Sequence, residues 1–140
     1  MRIALLGDIA PFGRYCLNKN KKLYTYFKTV KKHLSSFDFV IGNLEAPFVN
    51  KECPIRGKSA TISCHPDNIE LLKYLGLTHL NLANNHIGDF GIKGYERTIN
   101  LLNDNGIDWF GINEKQIDIN ANGEKISLMG FCSYNTNPSP

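Results

Sequence analysis

Residues 78–91 read THLNLANNHIGDFG. Leu80 and Leu82 alternate with His79 and Asn81, the pattern of a short, half-buried strand. Two amides and an imidazole follow in a row, Asn84, Asn85 and His86, and then Gly88, Asp89 and Gly91. Asn85 alone would suit a left-handed turn, and His86 alone a satisfied, half-buried histidine. Three such side chains at the tip of one strand point instead to a site, with Asp89 and the two glycines shaping the turn that presents them.

Outward from this stretch, apolar runs of strand length recur at Arg2–Leu6, Phe37–Ile41 and Lys125–Phe131, with Thr78–Ala83 between. Leu23, Phe27, Val30 and Leu34 are spaced by four, three and four, which predicts one helical stripe backed by a face of Lys22, Lys28, Lys31 and Lys32. That basic face reads first as a solvated one, and second as a surface for phosphates or anionic lipid. HPDNIELLKYLG (65–76) announces another helix, with Pro66 in its first turn, Asp67 and Glu70 at the positive end of its dipole, and Gly76 at its stop. A third is expected over Gly94–Asn103, with Tyr95, Ile99 and Leu102 inward. IDINANGEKISLMGF (117–131) reads as a hairpin turning on Asn122-Gly123. Strands that alternate with helices predict an α/β layer structure around a largely parallel sheet. The weakly periodic segment Ala46–His65 carries Arg56, Gly57 and Lys58 and is expected to run as a long loop over the site face. The end, YNTNPSP, is turn-like.

The bulk properties narrow the class. A chain of 140 residues is one domain or part of a larger one, and it can bury about 68% of its unfolded surface without a covalent staple. Hydrophobic residues at 42% and charged residues at 21% describe a folded chain, and a net charge of +3 is too mild for a general nucleic-acid binder. Much of that excess lies in NKNKKLYTYFKTVKKH (18–33). No apolar run is long enough to span a membrane, and MRIALLGDIA breaks at Gly7-Asp8 before it could act as a signal peptide. Cys16, Cys53, Cys64 and Cys132 are scattered and read as reduced thiols, with a Cys53–Cys64 bridge as the alternative. The expected compartment is the cytoplasm.

Three strands end on chemistry: IALLGD on Asp8, FVIGNLE on Asn43 and Glu45, and LNLANNH on Asn85 and His86. Ligands of open α/β sheets gather beyond the carboxyl ends of the strands, so these residues are expected to converge. Carboxylate, amide and imidazole donors suit Mn²⁺ or Fe²⁺, with Zn²⁺ also accommodated. Two such ions about 3.5–4 Å apart clamp a phosphoryl group, and an imidazole beside them can protonate a leaving oxygen. His65 and His79 are expected to be structural.

GDIAPFGR, IGNLEAP and LANNHIGDFGIKGYERTINLLNDNGIDWFG together resemble the bacterial capsule-synthesis (CapA-like) family of the calcineurin-like metallophosphoesterase superfamily. The likeness covers nearly the whole chain in the family's order. It implies a layered α/β/β/α sandwich with mixed sheets, of which residues 1–140 would be the N-terminal part. It further implies metal ligation by Asp8, by Asn43 or Glu45 (Glu45 being the better bridge) and by Asn85. His86 would approach the scissile phosphate, Asp89 would orient it or hold the turn, and Arg14 would contact phosphate. The implied activity is metal-assisted hydrolysis of a phosphate ester linked to capsular polysaccharide or poly-γ-glutamate production, with a phosphate ester or anionic polymer as substrate. The chain departs from the superfamily at Ala10, where a histidine is usual, and at Asn43, where an aspartate is usual. The superfamily's remaining histidine ligands fall in the second half of the fold. An uncovered sheet face in such a half predicts self-association. The rival reading is a polymer- or nucleotide-binding or scaffolding domain with a degenerate metal site.

Overall fold

Alternation along the strands sorts their side chains to two sides of a sheet. In the computed structural model, which describes residues 1–133, four strands build it: β1 (Ile3–Ile9), β2 (Phe39–Leu44), β3 (His79–Asn81) and β4 (Asp108–Phe110). They lie in the order β1-β2-β3-β4 and every pair is parallel. The stretch YNTNPSP lies outside the described residues. Ala4, Val40, Leu44, Leu80 and Leu82 belong to the main core, and the helices pack against this face through Leu34, Ile69, Leu72 and Leu102. On the other face Ile41 and Phe110 meet Ile119 of a separate antiparallel hairpin, β5 (Ile117–Ala121) and β6 (Glu124–Leu128). The result is a mixed α/β architecture with one parallel and one antiparallel sheet.

The hairpin turns where expected, with Asn122 and Gly123 both at positive φ (54° and 80°), as its two-residue turn requires. Strand β4 was not among the expected runs, because its extended form comes from pairing with β3. The helical stripe also differs. It breaks into α1 (Leu23–Tyr26) and α2 (Lys28–Leu34), since the backbone opens at Phe27 (φ −90°, ψ 5°). The two pieces no longer share one face, so Leu23 and Leu34 are buried while Val30 is 43% exposed. Helix α3 (Ile69–Leu75) follows a 3-10 turn over Pro66–Asn68, and Gly76 ends it at φ 81°. His65 is structural as expected, its ring accepting the Asp67 N–H at 3.3 Å to cap that turn. Helix α4 (Gly91–Asp104) begins three residues before Gly94. Gly94 instead serves packing, because a Cβ there would stand 2.6 Å from the Phe90 Cβ and 3.3 Å from Val49. No disulfide forms among the described residues, with Cys64 buried and Cys53 exposed.

Register positions the chemistry. Strand β1 pairs Leu5 with Ile41 and then Asp8 with Asn43, so β1 carries one extra residue between them. Without this bulge, alternation would send Asp8 toward the helices. With it, Asp8 stands beside Asn43.

Leu80 is fully buried at the centre of the core, so Leu80→Ala is expected to cost about 2–5 kcal/mol. Val30→Ser on the exposed side of α2 should stay within about 0.5 kcal/mol; urea denaturation measures both. His79 is also structural, buried beside Phe39 with Nδ1 2.9 Å from the Thr78 hydroxyl. Burial lowers its pKa below the ordinary 6.5, partly offset by Asp108. The unfolded chain therefore binds a proton that the folded one resists, and stability present above pH 6.5 falls as pH drops below it. A His79→Phe variant should show a flatter acid limb in the same denaturation series.

Candidate functional site

The tips of β1, β2 and β3 bring the polar residues together. The Asn43 side-chain amide donates to the Asp8 carboxylate at 2.8 Å and to the Glu45 carboxylate at 3.0 Å. Its carbonyl oxygen accepts from Asn81 at 2.9 Å and from Asn84 at 3.2 Å. Asn43 is thus the hub of the cluster, with two carboxylates on one side and two amides on the other. Burial of the Glu45 carboxyl, and then the neighbouring Asp8 carboxylate, raise its pKa above the ordinary 4.5. The shift follows from the partial burial of Glu45 and from a like charge nearby, both of which disfavour its ionised form.

The turn after β3 is built by Asn84. Its side-chain oxygen accepts the backbone N–H groups of His86 (2.6 Å) and Ile87 (2.9 Å), while its amide donates to the Leu44 carbonyl at 2.9 Å. Of the glycines expected to shape this turn, Gly91 does so at φ 63°, whereas Gly88 is not in the left-handed region. Beyond the turn, His86 Nδ1 lies 2.8 Å from Asp89 Oδ2. A carboxylate can only accept, so Nδ1 carries the proton and Nε2 faces the cluster, 3.9 Å from Glu45 Oε1. Asp89 therefore both orients the imidazole and holds the turn.

Asp89 is fully buried, and its partners come mostly from the long loop. It accepts the Ile62 N–H at 2.7 Å, its carbonyl accepts from Ile55 at 2.9 Å, and its Oδ1 pairs with the Lys58 ammonium. Lys58 also reaches the backbone carbonyl of Asn85 and is itself 5% exposed. The loop's ends are tied to one another where Cys64 N–H donates to Pro47 O at 2.9 Å and Val49 N–H to Cys64 O at 3.0 Å. Phe48 N–H fixes it to α4 by donating to the Thr98 hydroxyl at 2.9 Å.

Asp8, Asn43, Glu45, His86 and Asp89 are thus joined in one polar network, which Asn85 meets through Lys58. Arg14 stands apart. It is exposed in the 3-10 turn Gly13–Tyr15, and among the described residues its guanidinium bonds none of these side chains. Sequence reading placed Asn84 at the site without a role of its own, and missed Asn81 and Lys58 as working members. The run of amides after β3 and the basic trio at Arg56–Lys58 were the available signals, but only the folded loop identifies the partner of Lys58.

The donor set of Asp8, Glu45 and the amides suits a hard or intermediate divalent ion in chemistry but is short in number. Among the described residues, no group of three His, Cys, Asp or Glu side chains could by itself hold a metal.

These features define an α/β protein with a carboxylate–amide–imidazole cluster at the carboxyl ends of a parallel sheet. Residues 2–139 match the family model "Bacterial capsule synthesis protein PGA_cap", and the chain belongs to that family. It is 31% identical, over 94% of its length, to the capsule biosynthesis protein CapA of Bacillus anthracis, of which it covers 34%. It is 28% identical, over 91% of its length, to the PGA biosynthesis protein CapA of Bacillus subtilis (strain 168), of which it covers 36%. The chain therefore spans about a third of the length of these curated relatives.

The buried Lys58–Asp89 pair yields a stability test. Lys58→Met strands a buried carboxylate and is expected to cost about 3–5 kcal/mol. Lys73→Met, which removes a pair on the exposed side of α3, should cost less than about 1 kcal/mol. Chemical denaturation of the two variants side by side measures the difference.

Proposed function

We propose that this chain contributes half of a metal-dependent phosphoesterase centre that acts in the production of capsular polysaccharide or poly-γ-glutamate. The observation that carries the reading is the convergence of Asp8, Asn43 and Glu45 on the Nε2 side of an imidazole whose Nδ1 is tied to Asp89. Asp8 and Glu45, with the amides of Asn43 and Asn85, would hold a divalent cation, Mn²⁺ or Fe²⁺ by donor type and Zn²⁺ as an alternative. Once bound, such an ion supplies Lewis-acid stabilisation and a hydroxide nucleophile near neutral pH. His86, its Nδ1–H held on Asp89, presents a lone pair at Nε2; once that nitrogen has taken up a proton, the imidazolium would deliver it to the leaving oxygen of the ester. The Lys58 ammonium and the Ile62 N–H stabilise the Asp89 carboxylate in the position that orients the ring. The remaining ligands would come from sequence beyond this third of the relatives' length. Arg14 would serve only if its exposed side chain folds back toward bound phosphate.

One observation favours a second reading, a polymer- or nucleotide-binding or scaffolding role with a degenerate metal site. It is the shortage of ligands, with Ala10 where the superfamily usually has histidine and, among the described residues, no self-sufficient group of three.

Metal analysis of the protein extended to its relatives' length separates the two. Near-stoichiometric manganese, iron or zinc that disappears in a Glu45→Ala/Asn85→Ala variant is expected, together with hydrolysis of a generic phosphomonoester. His86→Asn should retain metal and lose about 10²–10⁴-fold in kcat. No metal after loading would leave the scaffolding reading.

A further inference from the structure

Charge is unevenly divided along this chain. Between Asp8 and Asp38, residues 9–37 hold seven of the sixteen Lys and Arg residues and none of the thirteen Asp and Glu. The seven are Arg14, Lys19, Lys21, Lys22, Lys28, Lys31 and Lys32, and every one is exposed. The remainder of the chain carries more acids than bases. None of the seven is paired with a carboxylate among the described residues. Lys31 is the one bound back to the protein, over the Tyr74 ring at 4.8 Å and to the Tyr74 carbonyl at 3.3 Å. Like charges gathered without counterions repel one another, and an anionic partner relieves that repulsion.

The same segment exposes apolar side chains. Phe12, Tyr15, Tyr24, Tyr26 and Val30 are half of the large hydrophobic residues exposed in the described structure, and Tyr26 reaches 63%. Buried Leu17, Leu23 and Leu34 and half-buried Phe27 root the segment in the cores, so the rings and ammonium groups share its outward side. A cavity of about 220 Å³ opens in the same region, lined by Ala10, Pro11, Tyr15, Phe27 and Leu75 and reaching Asp8. A dissolved polyanion would need only the cations. Cations interleaved with exposed aromatic rings fit an anionic bilayer, where headgroups take the charge and the rings settle at the boundary with the acyl chains.

We propose that residues 9–37 form a surface that docks this protein on anionic lipid bilayers, with the strand-end cluster lying beside the membrane plane. The proposal goes beyond the hydrolytic reading, and it is tested by binding alone, so either can fail without the other. The chain is mixed with vesicles of phosphatidylcholine, or of phosphatidylcholine with an equal part of phosphatidylglycerol, and bound protein is sedimented over a range of salt. Binding to the phosphatidylglycerol vesicles alone, weakening with salt, is expected. Lys21→Gln/Lys22→Gln/Lys28→Gln/Lys32→Gln should lower partitioning at least about tenfold. The same charge removed elsewhere, as Lys51→Gln/Arg56→Gln/Lys93→Gln/Lys125→Gln, should lower it far less. Phe12→Ser/Tyr26→Ser, which touches no charge, should lower it severalfold. All these positions are exposed, so loss of fold does not confuse the comparison. Absence of binding to anionic vesicles, or equal losses in the two charge variants, would overturn the proposal. So would vesicle binding indifferent to the aromatic substitutions, together with equally tight binding of a soluble polyglutamate or RNA oligomer; that result would mark a general polyanion surface.

Discussion

The carboxylate of Asp89 is the interaction on which the site depends. A fully buried acid is costly unless its charge is met, and here a lysine, an imidazole and a backbone amide meet it. Lys58 and Ile62 belong to the long loop, while His86 belongs to the turn after β3. Satisfying one carboxylate therefore fastens the loop to the strand tips and fixes the plane of the imidazole at the same time. Such a group is also a point of vulnerability, because removing any one partner leaves the others with a buried, partly unmet charge.

A second constraint acts on the opposite side of the site. Asp8 and Asn43 come from neighbouring strands, and a regular pairing would put them on opposite faces of the sheet. The extra residue in β1 corrects the phase, and Asn43 then spans the gap to Glu45 with its amide. One neutral donor, the Asn43 amide, serves both carboxylates, and Glu45 is raised in pKa by burial and by Asp8. Beside these acidic strand tips lies the basic segment of residues 9–37, the two joined by the cavity that runs from Asp8 to Tyr15 and Phe27.

Much of this was legible in the sequence, for a physical reason. Residues whose role follows from local geometry declare themselves by spacing: the hairpin at Asn122-Gly123, the stop at Gly76, the alternation before Asn84, and the polar tips of three apolar strands. The family blocks added order to those local signals. The split between α1 and α2 was not legible, because a change of backbone angle at Phe27 leaves the four-three-four spacing untouched. Nor was β4, whose three residues owe their extended form to pairing with β3.

The sequence by itself determined the α/β class, the carboxyl-end placement of Asp8, Asn43, Glu45, Asn85 and His86, and the mild overall charge. The tertiary structure decided which of them meet. Asn43 became the hub, Arg14 was left outside, and Lys58 crossed from the loop to Asp89. These outcomes depend on contacts between residues about thirty positions apart in the chain. Periodicity reports only on neighbours within a turn or a strand, and so carries no record of them.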